Sequence, residues 1–348
     1  MESLYPISPA ARDHWILAQR PERNSLDPQR PYAFLVEDEY SAENKIIPVA
    51  TILLTNRECP FRCLMCDLWK NTLTETLPAG AIPEQIAYAL AQLPPVRQIK
   101  LYNAGSFFDP KAIPPEDYTA IAKLTANFER VIVECHPALI NQTCLKFKSK
   151  LEEPDACHSE RSEEPPHFAR SGNATQVSHD AKPRLEVAMG LETVHPQVLA
   201  KLNKRMTTDD FARAAAYLHQ NGIDLRVFIL VQPPFMRKEE SLEWAARSLD
   251  FAFDCGATAA TLIPTRAGNG AMEQLQTVGE FSPPKLTTLE AAAAHGLALR
   301  RGRVFTDLWD IHPNCAHCGA TRIERLRQMN LRQTILAPIH CSICEDNS

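Results

Sequence analysis

The run Val49 to Leu54 reads as a buried strand. Directly after it comes Cys59-Pro60-Phe61-Arg62-Cys63-Leu64-Met65-Cys66, a C-x3-C-x2-C spacing. Four cysteines normally hold an iron–sulfur cluster. Three on one loop leave one iron of a four-iron cluster without a protein ligand, open to a small molecule. Thiolates suit soft iron and stay deprotonated once bound. The bland alternatives are a partial zinc site or a chance cluster of buried cysteines. Loop, spacing and preceding strand agree on the cluster.

The rest of the chain supplies a frame for such a loop. Helical periodicity predicts helices over Pro83–Leu93 and Pro115–Phe128, and later through Leu242, Ala246, Leu249 and Phe253 to Gly256. Strands are predicted at Gln98–Tyr102, Arg130–Glu134, Arg184–Met189, Leu225–Val231 and Ala259–Ile263, with a further one at Val304–Leu308. Thr207 and Asp210 form a capping-box pair, and Gly222 sits at the matching C-terminus. At least six strand–helix units predict an α/β fold, an open or partial (β/α)6 barrel, rather than a doubly wound sheet. Ligands of such a barrel lie at the carboxyl ends of its strands. Cys59, Cys63, Cys66, Gly105, Glu134 and Glu192 all fall there.

Residues 1–45 are polar and read as an N-terminal arm, with a short helix around Arg12 to Ala18 and irregular chain beyond. The barrel is expected over 46–310 and a small module over 311–348. Within the barrel, residues 151–182 carry few apolar side chains and mixed charge, so they read as a disordered insertion. The chain has 348 residues, 45% hydrophobic, with a net charge of −5, which makes no global case for nucleic acid. No stretch reaches 18 apolar residues, so no membrane span is expected. Eleven cysteines, seven of them in two clusters with ligand spacing, and no signal-peptide pattern predict metals in a reducing cytoplasm rather than disulfides.

The second cluster is Cys315, Cys318, Cys341 and Cys344, a C-x2-C-x22-C-x2-C spacing. Four thiolates in two knuckles suit tetrahedral zinc. They suit an auxiliary iron–sulfur cluster equally. Arg322, Arg325, Arg327 and Arg332 lie between the knuckles, either as a basic face for RNA or as an ordinary solvated helix face. Glu134 and Glu192 each end a strand that is otherwise apolar. A carboxylate there must be paired, hydrated or functional, so a structural ion pair is the alternative reading for each.

The cysteine loop resembles that of the radical S-adenosylmethionine (SAM) enzymes, in which SAM chelates the open iron. The residue before the last cysteine is often aromatic in that superfamily and packs near adenine; here it is Met65, a flexible apolar substitute. The resemblance implies that Gly105, in Asn103-Ala104-Gly105-Ser106, lies against the SAM amino group, and it brings Glu134 into the same cofactor site. Gly190 to Arg205 resembles the corresponding stretch of oxygen-independent coproporphyrinogen oxidases. That implies Glu192 on the ribose hydroxyls and Lys204 on the methionyl carboxylate, with Arg205 as the alternative cation. The family residues are often Gln and Arg, and Lys lacks the bidentate fork of Arg.

Five stretches resemble the radical SAM subunit of archaeosine synthase and, more distantly, the radical SAM domain of the Elongator catalytic subunit. They are Gly105–Asp109, Val133-Glu134, Gly190–Thr193 with Asn203-Lys204, Gln232–Phe235, and Pro264–Pro284. The resemblance implies a [4Fe-4S] cluster reduced by a donor such as flavodoxin or ferredoxin. It also implies reductive cleavage of SAM to a 5′-deoxyadenosyl radical and hydrogen abstraction from a modified tRNA base, with a partner subunit. Two alternatives stay open: a radical SAM enzyme acting on a small metabolite or peptide with a second cluster, and a zinc-bound RNA-binding scaffold that cleaves no SAM.

Overall fold

The structure is a computed structural model that describes residues 4–153, 182–313 and 315–345. Eight strands lie side by side in chain order: β1 (Ala33–Tyr40), β2 (Ile46–Leu53), β3 (Gln98–Tyr102), β4 (Arg130–Glu134), β5 (Arg184–Glu192), β6 (Asp224–Val231), β7 (Ala259–Pro264) and β8 (Arg303–Thr306). β1 pairs antiparallel with β2, and β2 to β8 run parallel. Helices connect the parallel strands: α2 (Ala81–Leu90), α3 (Tyr118–Thr125), α4 (Gln142–Glu152), α5 (Pro196–Lys201), α6 (Thr208–Gln220), α7 (Ser241–Asp254), α8 (Ala271–Thr277) and α9 (Leu286–Leu299). The sheet forms a half-barrel.

Period-two alternation decides which side chains face which side. On β5, Leu185, Val187, Met189 and Leu191 join the apolar core beneath the helices. Glu186, Gly190 and Glu192 therefore share the opposite, inner face. β4 behaves likewise, with Val131 and Val133 in the core and Arg130, Ile132 and Glu134 inward. α6 carries the expected capping box: the Thr207 side chain accepts from Asp210 N, and the Asp210 carboxylate accepts from Thr207 N.

The inner face has a charged floor that the sequence reading did not anticipate. Glu186 accepts from Arg226 Nε at 2.7 Å, Arg130 at 3.1 Å and Arg303 at 3.2 Å. Arg226 also pairs with Glu39 of β1 at 2.6 Å. Burial alone would raise the Glu186 pKa, but the three guanidinium groups hold it down at about 2.

Of the expected N-terminal arm, the short helix is present, but the chain beyond it is not all irregular. α1 (Pro9–Gln19) begins at the Ser8 cap, and β1 completes the sheet. Of the expected 151–182 insertion, Leu151 and Glu152 finish α4, while 154–181 lie outside the described residues. The end of the chain holds α10 (Gly319–Arg332) and the short α11 (Ser342–Glu345).

α10 packs against both edge strands, β1 and β8. Its Leu326 and Met329 belong to the barrel's own core. The Gln333 amide accepts from Val304 N at 2.7 Å and donates to Val304 O at 2.8 Å. The Asn330 amide does the same for Thr306, at 2.8 Å each way. Two side-chain amides thus stand in for a neighbouring strand and satisfy an edge that would otherwise pair with another chain. Among the described residues, no helix is long and apolar enough to cross a membrane.

Candidate active site at the cysteine loop

The chain leaves β2 through buried Thr55 and Asn56 and enters the cysteine loop at the carboxyl edge of the sheet. The loop has no regular structure of its own, so neighbouring side chains hold it. Asn56 Nδ2 donates to Asn103 O at 2.6 Å, which ties the exit of β2 to the exit of β3. Asn269 Nδ2 donates to Leu64 O at 2.7 Å and Cys66 O at 3.1 Å. Asn203 Nδ2 donates to Arg62 O at 2.7 Å, and Leu64 N donates to Leu202 O at 2.9 Å. Leu64 is fully buried against Tyr5, Ile16, Met272 and Phe281. Glu58 pairs with Arg20, Arg23 and Arg62.

Gly105 lies against this loop. A Cβ there would meet the Cys59 Cβ at 3.1 Å. Its turn is held from β4: Glu134 Oε1 accepts from Asn103 N at 2.6 Å and Gly105 N at 3.3 Å. Burial raises the Glu134 pKa to about 7, and those backbone N–H groups oppose the rise. Glu134 is thus a staple for the Gly105 turn.

Glu192 sits at a bulge in β5 with φ of 65°, a left-handed backbone that a non-glycine residue adopts at a cost. Its Oε1 lies 2.6 Å from Lys204 Nζ. The pair passes directly over Gly190, where any Cβ would overlap it. Burial opposes the Lys204 charge, yet Glu192 and the nearby cysteines hold its pKa above the ordinary lysine value. Lys204 O accepts from His136 Nε2 at 2.9 Å, and His136 stacks on Phe61 of the cysteine loop at 3.7 Å. Nδ1 of that ring accepts from Ala138 N, so Nε2 carries the hydrogen. Burial lowers the His136 pKa to about 3, which keeps the ring neutral.

Burial pushes the Cys59, Cys63 and Cys66 thiols up to about 12. Lys204 and Glu192 lie within electrostatic range of Cys63. Cys59, Cys63, Cys66, Gly105, Glu134, Glu192 and Lys204 therefore meet at one end of the barrel. Met65 packs beside Leu64 on one side and Val198 and Leu230 on the other. Asp13, Asn56, His136 and Asn269 hold the site together and were not singled out in the sequence, and Asn203, quoted there only beside Lys204, acts with them. The Gly268-Asn269-Gly270 turn was the one local hint among them.

Among the described residues, the ligand atoms of Cys315, Cys318, Cys341 and Cys344 all lie within 4.8 Å of one another, and the three loop cysteines do not form such a group. Zinc–thiolate bonds of about 2.3 Å in a tetrahedron place sulfurs about 3.8 Å apart. The C-terminal set fits a single ion. Backbone N–H groups of Cys318 and His317 lower the Cys315 pKa to about 6, while hydrogen bonds among the four thiols raise that of Cys344 to about 12.

Arg322 and Arg325 are not a free basic face. Arg322 Nε donates to Cys318 Sγ at 3.2 Å and Nη2 to Ile339 O at 2.8 Å, while Nη1 pairs with Glu290 of α9. Arg325 pairs with Glu290 at 3.0 Å and donates to Leu336 O and Ala337 O. They lock the knuckles onto the barrel.

No protein-family model matches the chain. Archaeosine synthase subunit beta of Methanosarcina acetivorans is 25% identical over 283 residues, covering 78% of this chain and 74% of that protein. The subunit of the same name from Thermococcus kodakarensis is 26% identical over 192 residues, covering 54% of this chain and 51% of that protein. The chain is similar to archaeosine synthase subunit beta. Two solved structures resemble it at low identity. Methanocaldococcus infernus Elp3 with an N-terminal deletion matches with a TM-score of 0.47 and 13% identity, over 71% of this chain and 59% of that one. Escherichia coli coproporphyrinogen III oxidase (HemN), a radical SAM enzyme, matches with a TM-score of 0.41 and 11% identity, over 70% and 50%. The half-barrel with a C-terminal four-cysteine group is the architecture expected from the sequence.

Proposed function

We propose that the protein is a radical SAM enzyme that acts on a modified tRNA base together with a partner subunit, as the name of its relatives suggests. One observation carries the first half of this reading. Three half-buried cysteines on one loop, Cys59, Cys63 and Cys66, converge with Gly105, Glu192 and Lys204 at the carboxyl end of the barrel. Cys59, Cys63 and Cys66 would hold a [4Fe-4S] cluster, whose chemistry when bound is one-electron cleavage of SAM to methionine and a 5′-deoxyadenosyl radical.

The chain's own residues bind and orient. The Gly105 turn, fixed by Glu134, brings backbone polar groups close to the loop. Lys204 offers a buried ammonium for the methionyl carboxylate, and Glu192 offers a carboxylate for ribose hydroxyls. Met65 supplies an apolar contact for adenine. The apolar wall of Leu64, Met65 and Leu230 excludes water. The C-terminal four thiolates would hold zinc, which supports about four irons and one zinc per chain over a second cluster.

The relatives' name carries the substrate half, with a one-electron donor such as a flavodoxin or ferredoxin to feed the cluster. The test is anaerobic reconstitution followed by dithionite reduction with SAM. The expected result is 5′-deoxyadenosine in stoichiometric or greater amounts. An intact cluster that yields none would overturn the reading. Turnover of a deazaguanine-bearing tRNA, but not of the free base, tests the substrate.

A further inference from the structure

α1 lies outside the sheet, yet it reaches both loops of the candidate site. Asp13 is where they meet. Its Oδ1 accepts from Asn203 Nδ2 at 2.8 Å, and its Oδ2 pairs with Arg205. The same Asn203 nitrogen donates to Arg62 O inside the cysteine loop. An amide nitrogen has two hydrogens, and here one goes to α1 and the other to the loop.

The turn so held is strained. Asn203 and Arg205 have φ of 56° and 57°. Left-handed residues that are not glycine persist only where their surroundings impose them. Between the two, Lys204 points inward to Glu192. α1 and the chain leading into it grip the preceding residues as well: Arg12 Nη1 donates to Ala200 O at 2.6 Å, and Tyr5 Oη, ahead of the helix, donates to Lys201 O at 2.9 Å. Its far end is pinned too, because Gly270 packs flush on the Gln19 carbonyl and Arg20 pairs with Glu58 at 2.7 Å.

We propose that Asp13 is a positioning residue for the cofactor site. It imposes the Asn203–Arg205 turn and, through Asn203, fixes the distance between Lys204 and the cysteine loop. This rests on the radical SAM reading of the same site. Among the described residues Asp13 makes its hydrogen bond and ion pair to Asn203 and Arg205, not to a loop cysteine or Glu192, so its removal should loosen SAM binding and leave the ligand set intact.

The test uses Asp13→Leu, which removes both contacts, and Asp13→Asn, which keeps an oxygen for Asn203 and loses only the pair with exposed Arg205. In reconstituted protein, the Kd for SAM should rise about tenfold or more in the Leu variant, since small misplacements of binding groups cost that much. The Asn variant should stay within about threefold. Iron content should match wild type in both. In the metal-free protein, backbone amides of 62–66 and 200–206 should exchange faster in the Leu variant. Wild-type SAM affinity and wild-type exchange in Asp13→Leu would overturn the proposal. If that variant does not fold, Asn203→Gly keeps the left-handed turn and removes the bridging amide. It should weaken SAM binding similarly, and unchanged affinity overturns the proposal. Wild-type protein that holds its cluster but binds no SAM would instead remove the radical SAM reading, and this inference with it.

Discussion

Lys204 Nζ lies 2.6 Å from Glu192 Oε1, and both side chains are less than a tenth exposed. Gly190 beneath them leaves room for the pair. Removing one partner of a buried pair strands the other charge, at a cost of about 3–5 kcal/mol. Lys204→Met should therefore destabilise the fold by roughly that amount in urea denaturation. The double variant Glu192→Gln/Lys204→Met should recover most of the loss. Both should bind SAM poorly, so stability and affinity separate in the double variant.

The two cysteine groups should load independently. Cys63→Ala is expected to lose the iron and its visible absorbance and to abolish 5′-deoxyadenosine formation, while zinc stays near one per chain. Cys341→Ala should do the reverse to the metal content. Elemental analysis of both variants decides this. Iron lost from both would mean that the C-terminal thiols hold a cluster.

Stripping the C-terminal metal should open the barrel's edge. Arg322 links Cys318 to Glu290, and α10 carries the amides that cap β8. A chelator, or Cys341→Ser, should speed hydrogen exchange at the Val304 and Thr306 amides while β4 and β5 amides in the middle of the sheet stay protected. Asn330→Ala should expose Thr306 alone.

Glu134 should make stability depend on pH in an uncommon direction. Burial raises its pKa from 4.5 to about 7 in the folded protein. Across that window the unfolded chain has lost a proton that the folded chain keeps. Stability contributed at this site therefore falls as pH rises from about 4.5 to about 7, then levels off. Glu134→Gln keeps an oxygen for the Asn103 and Gly105 amides and removes the titration. The melting temperature of wild type relative to this variant should drop across the window and be flat above it.

Local features were legible because local rules make them. β3 and β4 have the bounds that residue pattern predicts, Gln98–Tyr102 and Arg130–Glu134. The Thr207–Asp210 capping box needs only three residues' spacing. β1 was not legible, because Glu37-Asp38-Glu39 makes it look like solvated chain. Glu39 is there to meet Arg226, 187 residues on. Arg322 and Arg325 looked like part of a surface face because their partners Glu290 and Leu336–Ile339 come from other segments, whereas Arg327 and Arg332 are exposed.

By itself the sequence determined the ligand chemistry and its order along the chain: three thiols after one strand, four in two knuckles, and strand alternating with helix. Spacing of a few residues sets those, through backbone geometry alone. Tertiary structure decided the rest. It chose which carboxylate pairs with a cation, Glu192, and which staples a turn, Glu134. It drew the four knuckle cysteines, from two separate segments, to within 4.8 Å of one another. It brought Asp13 to Asn203 across 190 residues. Such contacts depend on how a curled sheet stacks distant loops at one end, and no spacing along the chain encodes that distance.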